Sequence, residues 1–438
     1  MQDGLALEGA KKNEEEGAAM RRRAIIACNI GNFIELYDFT IYGFFAVALG
    51  RAFFPSADPM VSMLSSFASY GVGFLMRPVG AVIIGAYGDT YGRRAALVLT
   101  IGVMAGATGL TGLLPTYASI GIWAPILLVV CRMLQGFSTG GEWGGAAAFL
   151  VEHAPPGHRG FVGSLATFSV HLGIFGGSLT ATLLTTVLSN DAFLSWGWRL
   201  PFLIGFVLGP FGYYLRNRVA ETPAFEQNVA SHVVAKSPIR ETLATQRGPM
   251  ILAFCLAIVG AVNNFTFIIF MPSLAVQQFK FDAQSALFCA TIASIVVTVL
   301  IPFVGALSDR IGRRGIMIVC GFGHLVLAYP LFLLVAETQS FVGMLVTQCV
   351  AAVLLALYSG VLPAILAELF PTRIRYTGLS TAYGLAVTIF GGFAPLISTF
   401  LVRTTGSPIS PAFYVMAAGL VTGIAAIFMT DRSQEHLA

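Results

Sequence analysis

GAYGDTYGRR (Gly85 to Arg94) and GALSDRIGRR (Gly305 to Arg314) are two copies of one pattern, G-x-x-x-D-x-x-G-R-R, set 220 residues apart in a chain of 438. A second pair of segments lies at nearly the same offset, 216 residues: Glu152-His-Ala-Pro-Pro-Gly-His-Arg159 and Glu368-Leu-Phe-Pro-Thr-Arg-Ile-Arg375. Two correspondences at matching offsets make the chain a duplication of parallel halves. Every copy sits at a short polar break after a long apolar run. The glycines allow helix ends to approach closely, the aspartates can accept from helix N-termini or from arginine, and the arginine pairs anchor the loop. We therefore read Gly85, Asp89, Gly92, Arg93 and Arg94, with Gly305, Asp309, Gly312, Arg313 and Arg314, as latches that govern conformation and do not touch a substrate.

Composition says what the runs between these loops are. Hydrophobic residues make up 56% and charged residues 11% of the chain. A soluble domain carries about 25% charge, so 25 basic and 21 acidic side chains cannot cover a chain of this length in water. Lipid is the main solvent, which excludes a soluble enzyme, a nucleic-acid-binding module and a disordered scaffold. Runs long enough to cross about 30 Å of hydrocarbon fall at 24–49, 61–88, 95–114, 121–149, 160–188, 197–215, 249–274, 284–308, 315–335, 340–367, 376–402 and 409–430. They are continuously apolar, as helices and not barrel strands require. The expected organisation is a tail (1–23), a six-helix bundle (24–215), a linker (216–248), a second six-helix bundle (249–430) and a tail (431–438). With the N-terminus inside, the inner segments hold 19 Lys and Arg and the outer ones 4. The positive-inside rule thus predicts cytoplasmic termini in a multi-pass protein of the cell (inner) membrane. Six cysteines lie singly in apolar runs without metal-ligand spacing, so neither a metal nor a disulfide framework is expected.

The twelve-span layout with both motif copies resembles the major facilitator superfamily. GNFIELYDFTIYGF (31–44), GFLMRPVGAVIIGAYGD (73–89), CRMLQGFSTGGEWGGA (131–146), WGWRLPF (196–202) and FPTRIRYTG (370–378) are similar to its metabolite:proton symporter branch. The stretch IFGGFAPLISTFLVRTTG (389–406) most resembles citrate and tricarballylate carriers. The resemblance implies an all-α membrane protein of two pseudo-symmetric six-helix bundles. It implies alternating access driven by a proton gradient without a cofactor, and a monomer whose partners are a small organic acid, protons and the bilayer. Relatives in the branch also carry zwitterionic osmolytes (proline, betaine) or shikimate, which are the alternative substrates. A channel or membrane enzyme lacks a visible filter or nucleophile.

Away from the run ends, two arginines and three acids lie inside the runs: Glu35, Asp38, Arg77, Arg132 and Glu142. Each would cost about 2.5–3.5 kcal/mol or more at the bilayer centre if it faced lipid, so they should turn inward and pair. Gly31, Glu35, Asp38 and Tyr42 form one helical stripe, and Arg132, Gln135, Gly136, Thr139 and Trp143 another. Asp38, Glu35, Arg132 and Glu142 are the candidate proton-coupling residues; an acid on the first span and an arginine on the fourth also resemble proton-coupled sugar porters. Arg132, with Arg77 in reserve, could hold a carboxylate in two bonds. Tyr42, Gln135, Thr139, His171, Asn263, Asn264, Tyr358 and Tyr383 complete the expected binding set. Gly136, Gly140 and Gly144 at spacings of four predict close helix packing.

Overall fold

The structure is a computed structural model. It describes residues 29–91, 93–140, 142–152, 154, 155, 157–217, 242, 244–371 and 374–435, with the side chains of 82, 85–97, 142, 149, 208, 211, 212, 215–217 and 376 left aside. The 1–23 tail, most of the 216–248 linker, Gly92, and the side chains of Asp89, Arg93, Arg94 and Glu142 therefore lie outside the description, as does the surrounding of Gly85.

Among the described residues, twelve helical passages follow the apolar runs. They are α1 (Asn29–Phe44, continued after a 66° bend by Ala46–Phe53), α2 (Pro59–Tyr91), α3 (Arg93–Leu113), α4 (Trp123–Ser138 and, after a break, Glu142–Glu152), α5 (Arg159–Val187) and α6 (Leu200–Asn217). After the linker come α7 (Arg247–Gln278), α8 (Ala283–Ile311), α9 (Arg314–Thr338), α10 (Phe341–Leu369), α11 (Arg375–Thr405) and α12 (Pro411–Phe428). Eight are by themselves long and apolar enough to cross a bilayer, and α1 is a ninth if its bent parts are one span. A helix satisfies its own backbone in hydrocarbon, but its first N–H groups need outside acceptors. Asp282 accepts from Ser285 N–H (2.7 Å) at the start of α8, and Ser340 accepts from Gly343 N–H (3.1 Å) at the start of α10. Two passages deviate from α geometry: α7 through a π-helical segment, Asn264–Phe270, and α11 through another, Val387–Gly392.

Glycines set the closest approaches. A Cβ on Gly136 of α4 would collide with the Gly73 carbonyl of α2, and one on Gly140 with the backbone around Arg77 and Ala81. These contacts hold α2 and α4 backbone to backbone. The two halves meet along α5 with α8 and along α2 with α11. On Gly305 of α8, a Cβ would lie 2.6 Å from Ser164 Oγ and 2.7 Å from the Gly160 carbonyl of α5.

At the end of α8 the second motif copy joins the halves. Asp309 accepts from the backbone N–H groups of Gly160 (2.7 Å) and Phe161 (2.9 Å), capping α5 from the other half, and from Arg313 (2.8 Å). The Arg313 guanidinium is only 1% exposed and also reaches Glu368 at the end of α10 (3.4 Å). Each glutamate of the other duplicated segment faces the arginine of the opposite copy: Glu152 pairs with Arg375 (2.8 Å), and Glu368 lies 3.8 Å from Arg159. Gly312 (φ +88°) turns the chain where a side chain would meet Asp431. Burial alone would raise the Asp431 carboxyl, but backbone N–H bonds from Arg314 (3.1 Å), Ser433 (3.0 Å) and Arg313 (2.8 Å) hold it below the usual carboxylate range.

Two outcomes follow. Gly136→Leu forces α2 and α4 apart and should destabilise the purified protein by about 1–3 kcal/mol; an unchanged melting temperature in detergent would show that this contact is not limiting. Asp309→Asn removes the charge that caps α5. It should speed labelling of a Ser380→Cys reporter, in a background without other cysteines, by roughly tenfold, the equivalent of about 1.4 kcal/mol of lost charge-assisted bonding. Equal labelling rates would mean that the cap does not hold this face shut.

Candidate functional site

The stripe on α1 faces α2 and α4 and brings four of the five intramembrane charges together as two pairs. Glu35 meets Arg77 at 2.9 Å, and Asp38 meets Arg132 at 3.3 Å. Asp38 is 2% exposed and Arg132 fully buried. A guanidinium kept from water needs a counter-ion and benefits from an aromatic face. Both are present: Arg132 lies over Tyr42 (4.4 Å to the ring centroid) and Arg77 over Phe74 (4.3 Å), with Phe39 4.8 Å from Arg77 and 5.9 Å from Arg132. Arg132 spends one nitrogen, Nη2, on Asp38; its Nε and Nη1 find no hydrogen-bond partner among the described residues.

An aromatic shell closes around these pairs. Tyr42 stacks on Tyr70 at 5.7 Å, and Phe265 of α7 reaches Tyr70 at 6.1 Å and Phe74 at 5.3 Å, edge to face, from the other half. Further from the motif loops, Phe67 packs on Phe270 (6.0 Å), and Gly71 leaves room for the Phe393 ring. On the motif side, Trp143 of α4 stacks on Tyr383 of α11 with centroids 3.7 Å apart, and Gly144 lies against Ser380. Contacts thus bridge the halves on both sides of the charge pairs, an occluded arrangement.

The Tyr42 hydroxyl donates to the Ser66 carbonyl (3.2 Å), Gln135 to Thr108 Oγ1 (2.9 Å), and Thr139 to the Gly136 carbonyl (3.0 Å). His171 Nε2 pairs with Ser359 Oγ (3.0 Å), tying α5 to α10 across the halves. In the second half, the Asn263 amide nitrogen is committed to His324 Nε2 and the Ala351 carbonyl (3.1 Å), so it ties α7 to α9 and α10. His324 Nδ1 lies 2.7 Å from the Cys320 carbonyl; with Nδ1–H donating there, Nε2 accepts from Asn263. Asn264 is adjacent and 8% exposed, with no partner for its Oδ1 among the described residues. Tyr358 donates to the Ala257 carbonyl (3.0 Å), joining α10 to α7.

Sequence reading did not single out Phe39, Tyr70 or Phe74, because an aromatic in an apolar run carries no periodic signal. It also left the Glu152/Arg159 and Glu368/Arg375 segments without a role, although their duplication marked them.

Two family profiles cover most of the chain: one described as "Sugar (and other) transporter" matches residues 24–245, and "Major Facilitator Superfamily" matches 253–437. The proline/betaine transporter of Salmonella typhimurium is 39% identical, over 92% of this chain and 83% of that one. The citrate-proton symporter of Klebsiella pneumoniae is 35% identical, over 94% and 92%. The solved structure of a proton:xylose symporter bound to 6-bromo-6-deoxy-D-glucose superimposes with a TM-score of 0.78 at 15% identity, over 96% of this chain and 98% of that one. Its likeness concerns the fold, which is the twelve-helix arrangement described above. The chain belongs to the major facilitator superfamily, as a multi-pass membrane transporter and not an enzyme.

Proposed function

We propose that this protein takes up a small zwitterion bearing one carboxylate, of the proline or betaine kind, together with protons, by alternating access. The observation that carries the reading is the charge pairing at the centre: among the described residues, two guanidiniums face two carboxylates, Arg77 with Glu35 and Arg132 with Asp38. A zwitterion adds no net charge to such a site, whereas a tricarboxylate would bring up to three negative charges into a buried region whose positive charges are already matched. Arg132 Nε and Nη1 supply donors for a single carboxylate, and the shell of Tyr42, Tyr70 and Phe265 supplies ring faces for an ammonium. Similarity to proline/betaine transporters at 39% and 38% identity supports this reading over the di- or tricarboxylate expected from sequence. The organic-acid reading stands second, favoured by the citrate-proton symporter at 35%.

Coupling follows from competition for one guanidinium. When the substrate carboxylate engages Arg132, Asp38 loses part of its counter-charge and its carboxylate takes a proton. When the substrate leaves, Arg132 turns back to Asp38 and the proton is released. Glu35 with Arg77 holds α1 against α2 beside this exchange. The basic asymmetry of the loops puts the motif face in the cytoplasm, so the substrate travels inward with the proton, through a protein that needs no cofactor and works as a monomer in the inner membrane.

Proteoliposomes test both parts. Betaine and proline should be concentrated when a proton gradient is imposed, and more strongly with the interior negative, because a zwitterion with a proton carries positive charge. Uptake of citrate with none of betaine or proline would replace the zwitterion reading with the organic-acid one. The Asp38→Asn variant should lose concentrative uptake, falling to the level of the gradient-free control, while keeping substrate counterflow. An Asn variant that still accumulates solute would remove Asp38 from the coupling role.

A further inference from the structure

The Tyr70 hydroxyl is the unusual polar group in the aromatic shell. Tyr70 is fully buried on α2, and among the described residues its hydroxyl has no hydrogen-bond partner. Other tyrosines within the bundle are satisfied: Tyr42 donates to the Ser66 carbonyl, Tyr358 to the Ala257 carbonyl and Tyr414 to the Phe390 carbonyl (2.8 Å). A buried donor without an acceptor is costly and is rare in native proteins, so its position calls for a reason. The Tyr70 ring is fixed on several sides, stacked on Tyr42 at 5.7 Å, tilted against Phe74 at 5.3 Å and edge-on to Phe39 at 5.9 Å. Tyr42 is also the ring beneath the Arg132 guanidinium, at 4.4 Å. Among the described residues, this shell therefore holds four donor groups without acceptors, Tyr70 O–H, Arg132 Nε–H, Arg132 Nη1–H and Arg77 Nε–H, against one carboxylate oxygen without a donor, Asp38 Oδ1.

Donors in excess of acceptors fit an anionic oxygen pair. We propose that Tyr70 is a substrate-binding residue, whose hydroxyl donates to the same carboxylate that Arg132 holds and whose ring, with Tyr42 and Phe265, lines the apolar and cationic part of the solute. The assignment rests on the carboxylate-bearing substrate proposed above. Because Phe265 belongs to the second half and lies edge-on to Tyr70, the hydroxyl also ties solute recognition to the surface where the halves meet. Tyrosine serves here as phenylalanine could not: the ring alone would complete the packing, and only the hydroxyl adds a directional donor.

The test uses the full-length protein in detergent and proteoliposomes, with betaine, proline and citrate as probes. Tyr70→Phe keeps the ring and removes the donor. It should weaken binding of whichever probe the wild type takes by about tenfold or more, the usual effect of losing a hydrogen bond to a charged group. The melting temperature of the protein without ligand should stay level or rise, while the ligand-induced rise in melting temperature should shrink. Tyr414→Phe, which removes a satisfied hydroxyl on α12, should leave probe affinity unchanged. Wild-type affinity in Tyr70→Phe, or a drop in its ligand-free melting temperature with affinity retained, overturns the assignment. If the wild type binds citrate alone, the zwitterion reading fails, yet weakened citrate binding in Tyr70→Phe still upholds Tyr70. If it binds none of the three, both fall.

Discussion

The Arg132 guanidinium, fully buried among helices α1, α2 and α4, is the constraint around which the first half is arranged. An unpaired guanidinium there would cost several kcal/mol, so Asp38 on α1 must face it, and Tyr42 one turn further along the same stripe must offer its ring. That fixes the rotation of α1 about its axis. Once α1 is so turned, Glu35 points to the same interior and calls for its own cation, which α2 provides as Arg77. The α2–α4 contact that makes this geometry reachable depends on Gly73 and Gly136, whose missing side chains let the two backbones meet. Charge pairing thus sets helix rotation, and glycine sets helix distance.

The duplicated segments act on a different scale, between halves. In each half the pattern places a glutamate at the end of an even-numbered helix and an arginine at the start of the next. Pairing within one copy would hold only neighbouring helices together. Instead Glu152 turns to Arg375, and Glu368 lies near Arg159 as well as Arg313, so each copy completes the other. The contact exists only while the halves are closed on that face, since parting α5 from α8 and α4 from α11 separates the partners. Asp309 adds to it by accepting N–H groups at the start of α5 that no residue of their own helix can satisfy. Glu152–Arg375, Glu368–Arg159 and the bonds from α5 to Asp309 cross between the halves and are broken or kept together, while Arg313 holds Asp309 and Glu368 within the second half; the crossing bonds suit a two-position mechanism better than a graded one.

Much of this was legible in the sequence, and the parts that were not share a cause. Hydropathy located the twelve passages to within a few residues because the cost of exposing backbone in lipid dominates all other terms. It gave no sign of the bend in α1 at Phe45 or the π-helical segments of α7 and α11, since residue composition barely changes where register does. Charge inside the runs marked Glu35, Asp38, Arg77 and Arg132 because lipid allows few such residues. Loop charges showed their side of the membrane and not their burial: Arg313 and Arg375, counted with the inner basic residues, are both 1% exposed, Arg313 against Asp309 and Glu368 and Arg375 against Glu152. Asn263 shows the limit from a third side. Its polarity at mid-span was visible, but its engagement with His324 and the Ala351 carbonyl, 61 and 88 residues further along the chain, depends on how α7, α9 and α10 pack.

The location of the charges has a consequence for how the two halves divide the work. All four paired intramembrane charges at the centre belong to α1, α2 and α4 of the first half, whereas the second half meets them with Phe265 and the aromatic and glycine surface of α11. On the proposed reading, protonation and carboxylate binding therefore act within one rigid group of helices, and the second half senses them only through the shape of the shell. Apolar surfaces can slide past each other without breaking ion pairs, which is what a rocking motion around a fixed site requires. The π-helical segments lie in the two passages of the second half that touch this shell, α7 and α11, where a local change of register can re-aim a ring without moving a whole helix. A charged first half that binds and an adaptable second half that closes over it account together for the duplication being preserved in the latch loops and lost at the centre.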